Sequence, residues 1–181
     1  MKREQVQYLV FKLRELETMA DIIIIDTGAG ISDSVLEFVA SSGEVLLVTT
    51  PEPTSITDAY ALLKSLNARA SFDKNSTTIK VITNRVSGYE EGKNLFNKLE
   101  VVVSKFLDIN LKFLGIIPMD QNLSRAVMQQ KPISTAYPNS PGTKAFEKMA
   151  QALLENKEAE EVRKNGLARA VVSMLKNSFK K

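Results

Sequence analysis

The sequence has 181 residues, 44% hydrophobic and 25% charged, the proportions of one soluble globular domain with enough chain to bury a core. It has neither cysteine nor histidine, which excludes disulfides, thiolate and imidazole metal sites, cysteine nucleophiles and the usual Ser-His-Asp triad. The net charge of +3 is unevenly spread: residues 163–181 carry +6 and no acid, the preceding 162 residues −3, so a nucleic-acid-binding body is not expected and electrostatics concentrate in the tail.

In chain order, Val6, Leu9, Val10, Leu13 and Leu16 fall on one helical face. The charges scattered through "MKREQVQYLVFKLRELE" argue against a secretory signal, and no apolar run is long enough for a membrane span, so a cytoplasmic protein is expected. "DIIIID" (21–26) has no polar alternation and predicts a strand buried on both faces. Ser32 or Asp33 can cap a helix to about Ala40, and "EVLLVTT" (44–50) predicts a second such buried strand. "PEPTSITDAYALLKSLNARA" predicts a helix capped at Thr54 or Ser55, and "TIKVITN" (78–84) a third strand.

The next helix is expected from Gly92 to Leu107, with Leu95, Phe96, Leu99, Val102, Val103 and Phe106 inward. A fourth strand, "NLKFLGIIP" (110–118), precedes a short helix at Leu123–Gln129. The last helix of the body is expected from Thr143 to about Lys157, with Phe146, Met149, Ala150, Leu153 and Leu154 inward. Strands alternating with crossover-length helices predict an α/β fold: a mostly parallel sheet with helices on both faces. The body is assigned to residues 1–157; 158–181 form a hinge and a basic amphipathic helix, the low-hydrophobicity run "ENKEAEEVRKNG" (155–166) spanning the junction.

The stretch "ADIIIIDTGAG" (20–30) admits three readings. Asp-Thr-Gly after an apolar strand is the aspartic-protease pattern, but it occurs once here, and a strand–helix alternation is not a β-rich protease. Asp26 at the carboxyl end of a parallel strand is also where ligands gather, and it can hold the water shell of Mg²⁺ beside a terminal phosphate. Gly28 and Gly30 would admit the phosphate to the backbone and to the following helix N-terminus. In the plain structural alternative Asp26 caps a turn and the glycines permit it.

"DIIIIDTGAGISDSVLEFVASSGEVLLVTTPEPTSITDAYALLKSL", followed by "VITNRV" and "LGIIPMDQNLSRAVMQQKPI", resembles the second half of the MinD/ParA-type deviant-Walker ATPases. The likeness is greatest to the branch regulating flagellar number (FlhG/FleN/YlxH-like) and covers nearly the whole chain. It implies a P-loop NTPase fold of three layers, and ATP and Mg²⁺ as cofactors. Asp26 matches the aspartate that positions Mg²⁺ through water, and Thr27, Gly28 and Gly30 belong to the phosphate-sensing switch. Asn84, followed by Arg85, matches the position whose amide reads the adenine edge. Pro118, Met119 and Asp120 match the loop that closes over the base. Taken singly, Asn84 and Pro118 also read as plain strand-end turn residues.

The resemblance implies a homodimer, flagellar or polar-positioning partners, and hydrolysis-driven release from membrane and partners. What it requires and the sequence lacks is a strand leading into a Gly-rich loop ending in Gly-Lys-Ser/Thr. "GYEEGKN" (88–94) has three residues between its glycines, not four, and Asn94 stands where a hydroxyl is needed; "PGTKAF" (141–146) is no closer. The fold is therefore expected to be incomplete at the N-terminus and this chain alone not to hydrolyse ATP, since the amides and lysine around the phosphates supply most transition-state stabilisation. A non-enzymatic protein- or membrane-binding module built on the same fold is the alternative. A phosphoacceptor receiver domain needs acids after its first strand and a lysine after its last, which this order does not supply.

In the tail, Leu167, Val171, Met174, Leu175 and Phe179 share one helical face, with Arg169, Lys176 and Lys180 elsewhere. Such a helix suits peripheral attachment to an anionic membrane surface on its inner face. A last helix packed on another part of the protein or on a partner has the same pattern.

Overall fold

The computed structural model describes Tyr8, Lys12, Glu15, Leu16 and residues 18–155, apart from 29 and 76. Most of the expected N-terminal helical face, and all of the expected tail helix (Leu167, Arg169, Val171, Met174, Leu175, Lys176, Phe179 and Lys180), lie outside these residues. The elements are α1 (Asp33–Ser41), β1 (Glu44–Thr49), α2 (Pro53–Asn67), β2 (Thr78–Val86), α3 (Tyr89–Leu107), β3 (Leu111–Pro118), α4 (Gln121–Met128), α5 (Ile133–Ala136) and α6 (Pro141–Glu155). The strands form one sheet in the order β1-β2-β3, and β2 and β3 run parallel. The described residues divide into two compact units, one of residues up to 45 together with 61–78, the other of 46–60 and 79–155.

In the first unit, Ser32 caps α1 by accepting the Val35 N–H at 3.4 Å, as its position before an apolar run predicts. The buried Glu37 of α1 meets Arg69 at 2.9 Å, and the other arm of the same guanidinium bonds Asp33. Thr78 donates its N–H to the carbonyl of Gly43 at 2.9 Å.

The expected strand at 21–26 is not formed. Residues 22–28 have no regular structure, and Ile22, Ile23, Ile24 and Ile25 are 44%, 38%, 80% and 36% exposed. An apolar run becomes a strand only when neighbours on its edges satisfy its N–H and C=O groups, and the sheet of the described residues consists of the other three strands. β1, expected to be buried on both faces, is buried on one: Val45, Leu47 and Thr49 point inward while Leu46 and Val48 are exposed.

The second unit is built around β2, most of it buried. β3 pairs with it from Ile79↔Leu111 to Val86↔Pro118, with irregularities between Val81 and Ile82 and between Asn84 and Val86. Helices cover opposite faces. Gly92 of α3 lies against Thr83 and Ile116, whereas Met149 of α6 packs with Ile82, Ile117, Leu114 and Leu123 and touches Gly115. Because Ile116 alternates with Gly115 and Ile117 along the strand, α3 and α6 lie on the two sides of the sheet, the layered α/β architecture expected.

The inward faces of both helices differ from expectation. In α3 the buried residues are Gly92, Leu95, Phe96, Leu99, Val103 and Leu107, while Val102 and Phe106 are 40% and 64% exposed. The stripe that turns inward is centred on Gly92, where the helix can approach the sheet, and Val102 and Phe106 fall outside it. In α6, Met149 is buried but Phe146, Ala150 and Leu154 are exposed and Leu153 is half-buried; the inward points are Gly142, Thr143 and Met149. Small residues at the start of α6 let it come close, which sets a rotation that apolar periodicity alone does not reveal.

Candidate functional site

Three loops meet the carboxyl ends of β1, β2 and β3, the edge of a parallel sheet where ligands bind. After β1, the Thr50 N–H donates to Ser55 Oγ at 3.0 Å, and Ser55 Oγ also bonds the hydroxyl of the buried Thr49 at 3.1 Å. Ser55 therefore ties down the loop; it does not cap the helix. α2 begins instead at Pro53, where a missing N–H costs nothing, with the Glu52 carbonyl accepting from Ser55 at 3.0 Å and from Ile56 at 3.3 Å. The hydroxyl of Thr50 holds the Glu52 carboxyl below the ordinary carboxylate range.

At the end of β2, Asn84 pairs with Ile117 and Val86 with Pro118, which leaves Arg85 as an extra, bulged residue. Arg85 has φ 57°, in the left-handed region. Its N–H, turned out of the ladder, is taken by the side-chain oxygen of Asn84 at 2.8 Å. That bond turns the Asn84 amide so that its NH₂ is the group presented to an acceptor. The Arg85 guanidinium approaches Glu52 at 3.6 Å, both side chains being about half exposed, and so spans the loops after β1 and β2.

The loop after β3 is fixed to β2 as well: Met119 donates its N–H to the carbonyl of Val86 at 2.9 Å while its side chain stays exposed. Asp120 caps α4, its Oδ1 accepting the Asn122 N–H at 2.8 Å, and its Oδ2 accepts the Gly142 N–H at 2.9 Å. These donors, Gly142 foremost, hold the Asp120 carboxyl below its ordinary range. Asn84, Arg85, Pro118, Met119 and Asp120, predicted from separate stretches, are thus brought to one edge. The carboxylate of Asp120, however, is directed into the protein, where it secures α4 and α6.

At this edge the presented amide of Asn84 is a fixed donor, while the backbone of Pro118 and Met119 can only accept, since proline has no N–H and that of Met119 is taken by Val86; a few fixed donors and acceptors of this kind are what orient a ligand. Asp26, Thr27, Gly28 and Gly30 belong to the other unit, on the exposed segment before α1. Gly30 has φ 106°, which only glycine adopts freely, whereas a Cβ on Gly28 would meet nothing within 4 Å. No group of three or more metal-ligating side chains occurs among the described residues. A lone carboxylate is nonetheless compatible with Mg²⁺, which keeps several waters and takes substrate phosphate oxygens.

Apolar spacing could not reveal the Arg85 bulge, the Glu52–Arg85 pair or the Asp120–Gly142 bond. The one local sign was an aspartate just before a short helix at 120, the mark of an N-cap. Among the described residues no helix is long and apolar enough to cross a membrane.

The family model described as "ParA: NUBPL iron-transfer P-loop NTPase" matches residues 2–154. The Antiactivator FleN of Pseudomonas aeruginosa is 43% identical over 143 residues, 79% of this chain and 50% of its own length. The Flagellum site-determining protein YlxH of Helicobacter pylori is 33% identical over 159 residues, 86% of this chain and 52% of its own. A chloroplastic septum site-determining protein minD homolog of Arabidopsis thaliana is 31% identical over 140 residues, 77% of this chain and 40% of its own. The chain spans about half the length of the curated relatives it matches. With the parallel α/β sheet and the loops at its carboxyl edge, the match over most of the sequence makes this chain a member of the ParA family of P-loop NTPases.

Proposed function

We propose that this chain is the base-recognising, C-terminal part of a nucleotide-switch ATPase acting in flagellar number or site control or in septum placement. The observation carrying the reading is the Met119–Val86 backbone bond beside the Arg85 bulge, which fixes the base loop next to the Asn84 amide. The names of the similar proteins, an antiactivator, a flagellum site-determining protein and a septum site-determining protein, supply the cellular process. In this reading Asn84 and the backbone of residues 118–120 hold the adenine, Asp26 orders Mg²⁺ through water, and residues 27–30 respond to the terminal phosphate. A nucleotide-dependent homodimer and attachment to an anionic membrane through residues 163–181 complete the proposal.

Because the sequence has no Gly-Lys-Ser/Thr loop, the purified chain is expected to bind the adenine moiety weakly and to show no ATP turnover above background. Titrating adenosine and MgATP into ¹⁵N-labelled protein, with a phosphate-release assay alongside, tests both parts. Turnover at a rate ordinary for such ATPases would overturn the non-catalytic assignment. Unchanged Asn84 and Met119 signals at millimolar adenosine would favour the second reading, a binding module without nucleotide switching, to which the missing phosphate loop also points.

A further inference from the structure

The Asp120 carboxylate joins two parts of the second unit that are 22 positions apart, the end of the base loop and the first turn of α6. Each of its oxygens is used: Oδ1 takes the Asn122 N–H and Oδ2 the Gly142 N–H. The joint has no slack. A Cβ on Gly142 would come within 2.9 Å of Ile133 Cδ1 and 3.1 Å of Asp120 Oδ2, so the helix start is pressed between α5 and the carboxylate. Behind Gly142, Ser140 and Thr143 are buried and bonded to each other, the Thr143 hydroxyl donating to the Tyr137 carbonyl at 2.8 Å. Farther along α6, Met149 rests on Gly115 and in the cluster of Ile82 and Ile117, directly behind β3.

We propose that Asp120 is a positioning residue that couples base occupancy to α6: its carboxylate, held by Gly142, sets the Pro118–Met119 backbone against the base, and a ligand that moves this loop moves the N-terminus of α6 with it. The inference rests on the adenine reading of residues 84 and 118–120. Its physical basis is that the loop has two restraints in the structure, the Met119–Val86 bond at one end and the doubly bonded carboxylate at the other. Displacing the loop must stretch one of them, and a charge-assisted bond in a tightly packed joint transmits the displacement better than it breaks. Base occupancy is thereby sensed on the side of the sheet opposite α3, through a carboxylate that does not itself touch the base.

The test uses the amide signals of the full 181-residue chain, titrated with adenosine and, as a control, guanosine. In the wild type, adenosine is expected to shift Asn84, Met119 and Gly142 together, with one dissociation constant. In Asp120→Asn, which keeps an acceptor for the α4 cap but presents an NH₂ to one of the two donors, adenosine should still shift Asn84 while Gly142 no longer follows. Its affinity should fall about fivefold or more, the range of ordinary coupling energies. Asp120→Glu, charged but longer, serves as the second variant if the first does not fold, and should uncouple Gly142 in the same way. Shifts at Asn84 and Met119 with Gly142 stationary in the wild type would overturn the coupling and leave the adenine reading standing. No shift at Asn84 or Met119 would overturn the adenine reading and the coupling with it. A variant in which Gly142 still tracks adenosine with wild-type affinity would make Asp120 a helix cap and nothing more.

Discussion

Gly92 of α3 lies so close to Thr83 of β2 that a Cβ on the glycine would sit 2.6 Å from the threonine Oγ1 and 2.5 Å from Ile116 Cγ2. Helix and sheet meet here with only the strand side chains, Thr83 and Ile116, between them. The contact fixes the rotation of α3 and brings its first turn directly after the Arg85 bulge. Substituting Gly92 with alanine must push α3 off the sheet, at a cost of about 1–3 kcal/mol, the usual penalty of overpacking. Chemical denaturation should show the loss. A wild-type midpoint in Gly92→Ala would mean that α3 sits farther from β2 than the structure places it.

The Thr83 hydroxyl is fully buried and is the one buried side-chain polar atom without a hydrogen-bond partner among the described residues. An unmet hydroxyl in such a place has lost its water and gained nothing, so Thr83→Val, of the same shape, should be neutral or stabilising by up to about 1 kcal/mol. Thermal melting of the two proteins under identical conditions decides this. A clear loss of stability would reveal an ordered water or an alternative rotamer at Oγ1.

Arg85 occupies the left-handed region, where a side chain costs roughly 1–2 kcal/mol that glycine avoids. Its ion pair with Glu52 is exposed and contributes little to stability in return. Arg85→Gly should therefore keep or slightly raise the melting temperature while weakening adenosine binding. That opposite movement separates a functional residue from a structural one. A fall in both would assign Arg85 to the fold.

Arg69 is the guanidinium partner of Glu37, whose side chain is only 6% exposed. Truncating Arg69 to alanine removes its ion pairs with that carboxylate and with Asp33, a change that costs roughly 3–5 kcal/mol for a well-buried pair and less here, where Arg69 itself is 21% exposed. A double-mutant cycle with Glu37→Gln should show coupling between the two side chains, isolating the share of the loss that belongs to the Arg69–Glu37 pair. Urea unfolding of the single and double variants reports the difference.

Acid should destabilise the protein in a defined way. The Glu91 carboxyl is held low by the Ser87 N–H and hydroxyl, and Asp120 by the Gly142 and Asn122 N–H groups. A carboxyl lowered on folding contributes stability above its unfolded value, about 4, and loses it as the pH falls through the folded value. Melting temperature should accordingly decline below about pH 4, and the decline should be shallower in Asp120→Asn. Equal slopes would mean that the Asp120 carboxylate is no better held in the folded chain than in the unfolded one.

The sequence alone determined much of the local structure. Ser32 before an apolar run caps α1, the alternation of apolar strands with crossover helices gives a parallel α/β sheet, and the order of Asn84, Pro118 and Asp120 marks the loops of the candidate site. The cap and the apolar periods of strands and helices depend on neighbours within one or two turns, which the chain itself supplies. Three outcomes depended on tertiary contacts. "DIIIID" has the composition of a buried strand but pairs with none of the three strands of the sheet, because a strand is completed by edges that its own residues cannot provide. The buried stripes of α3 and α6 rotate toward Gly92 and Gly142, because close approach, not apolar count, selects the face that packs. The roles of Arg85 and Asp120 arose from a bulge and from a bond across 22 residues, where the geometry of two strands and a distant helix start decides which atom meets which.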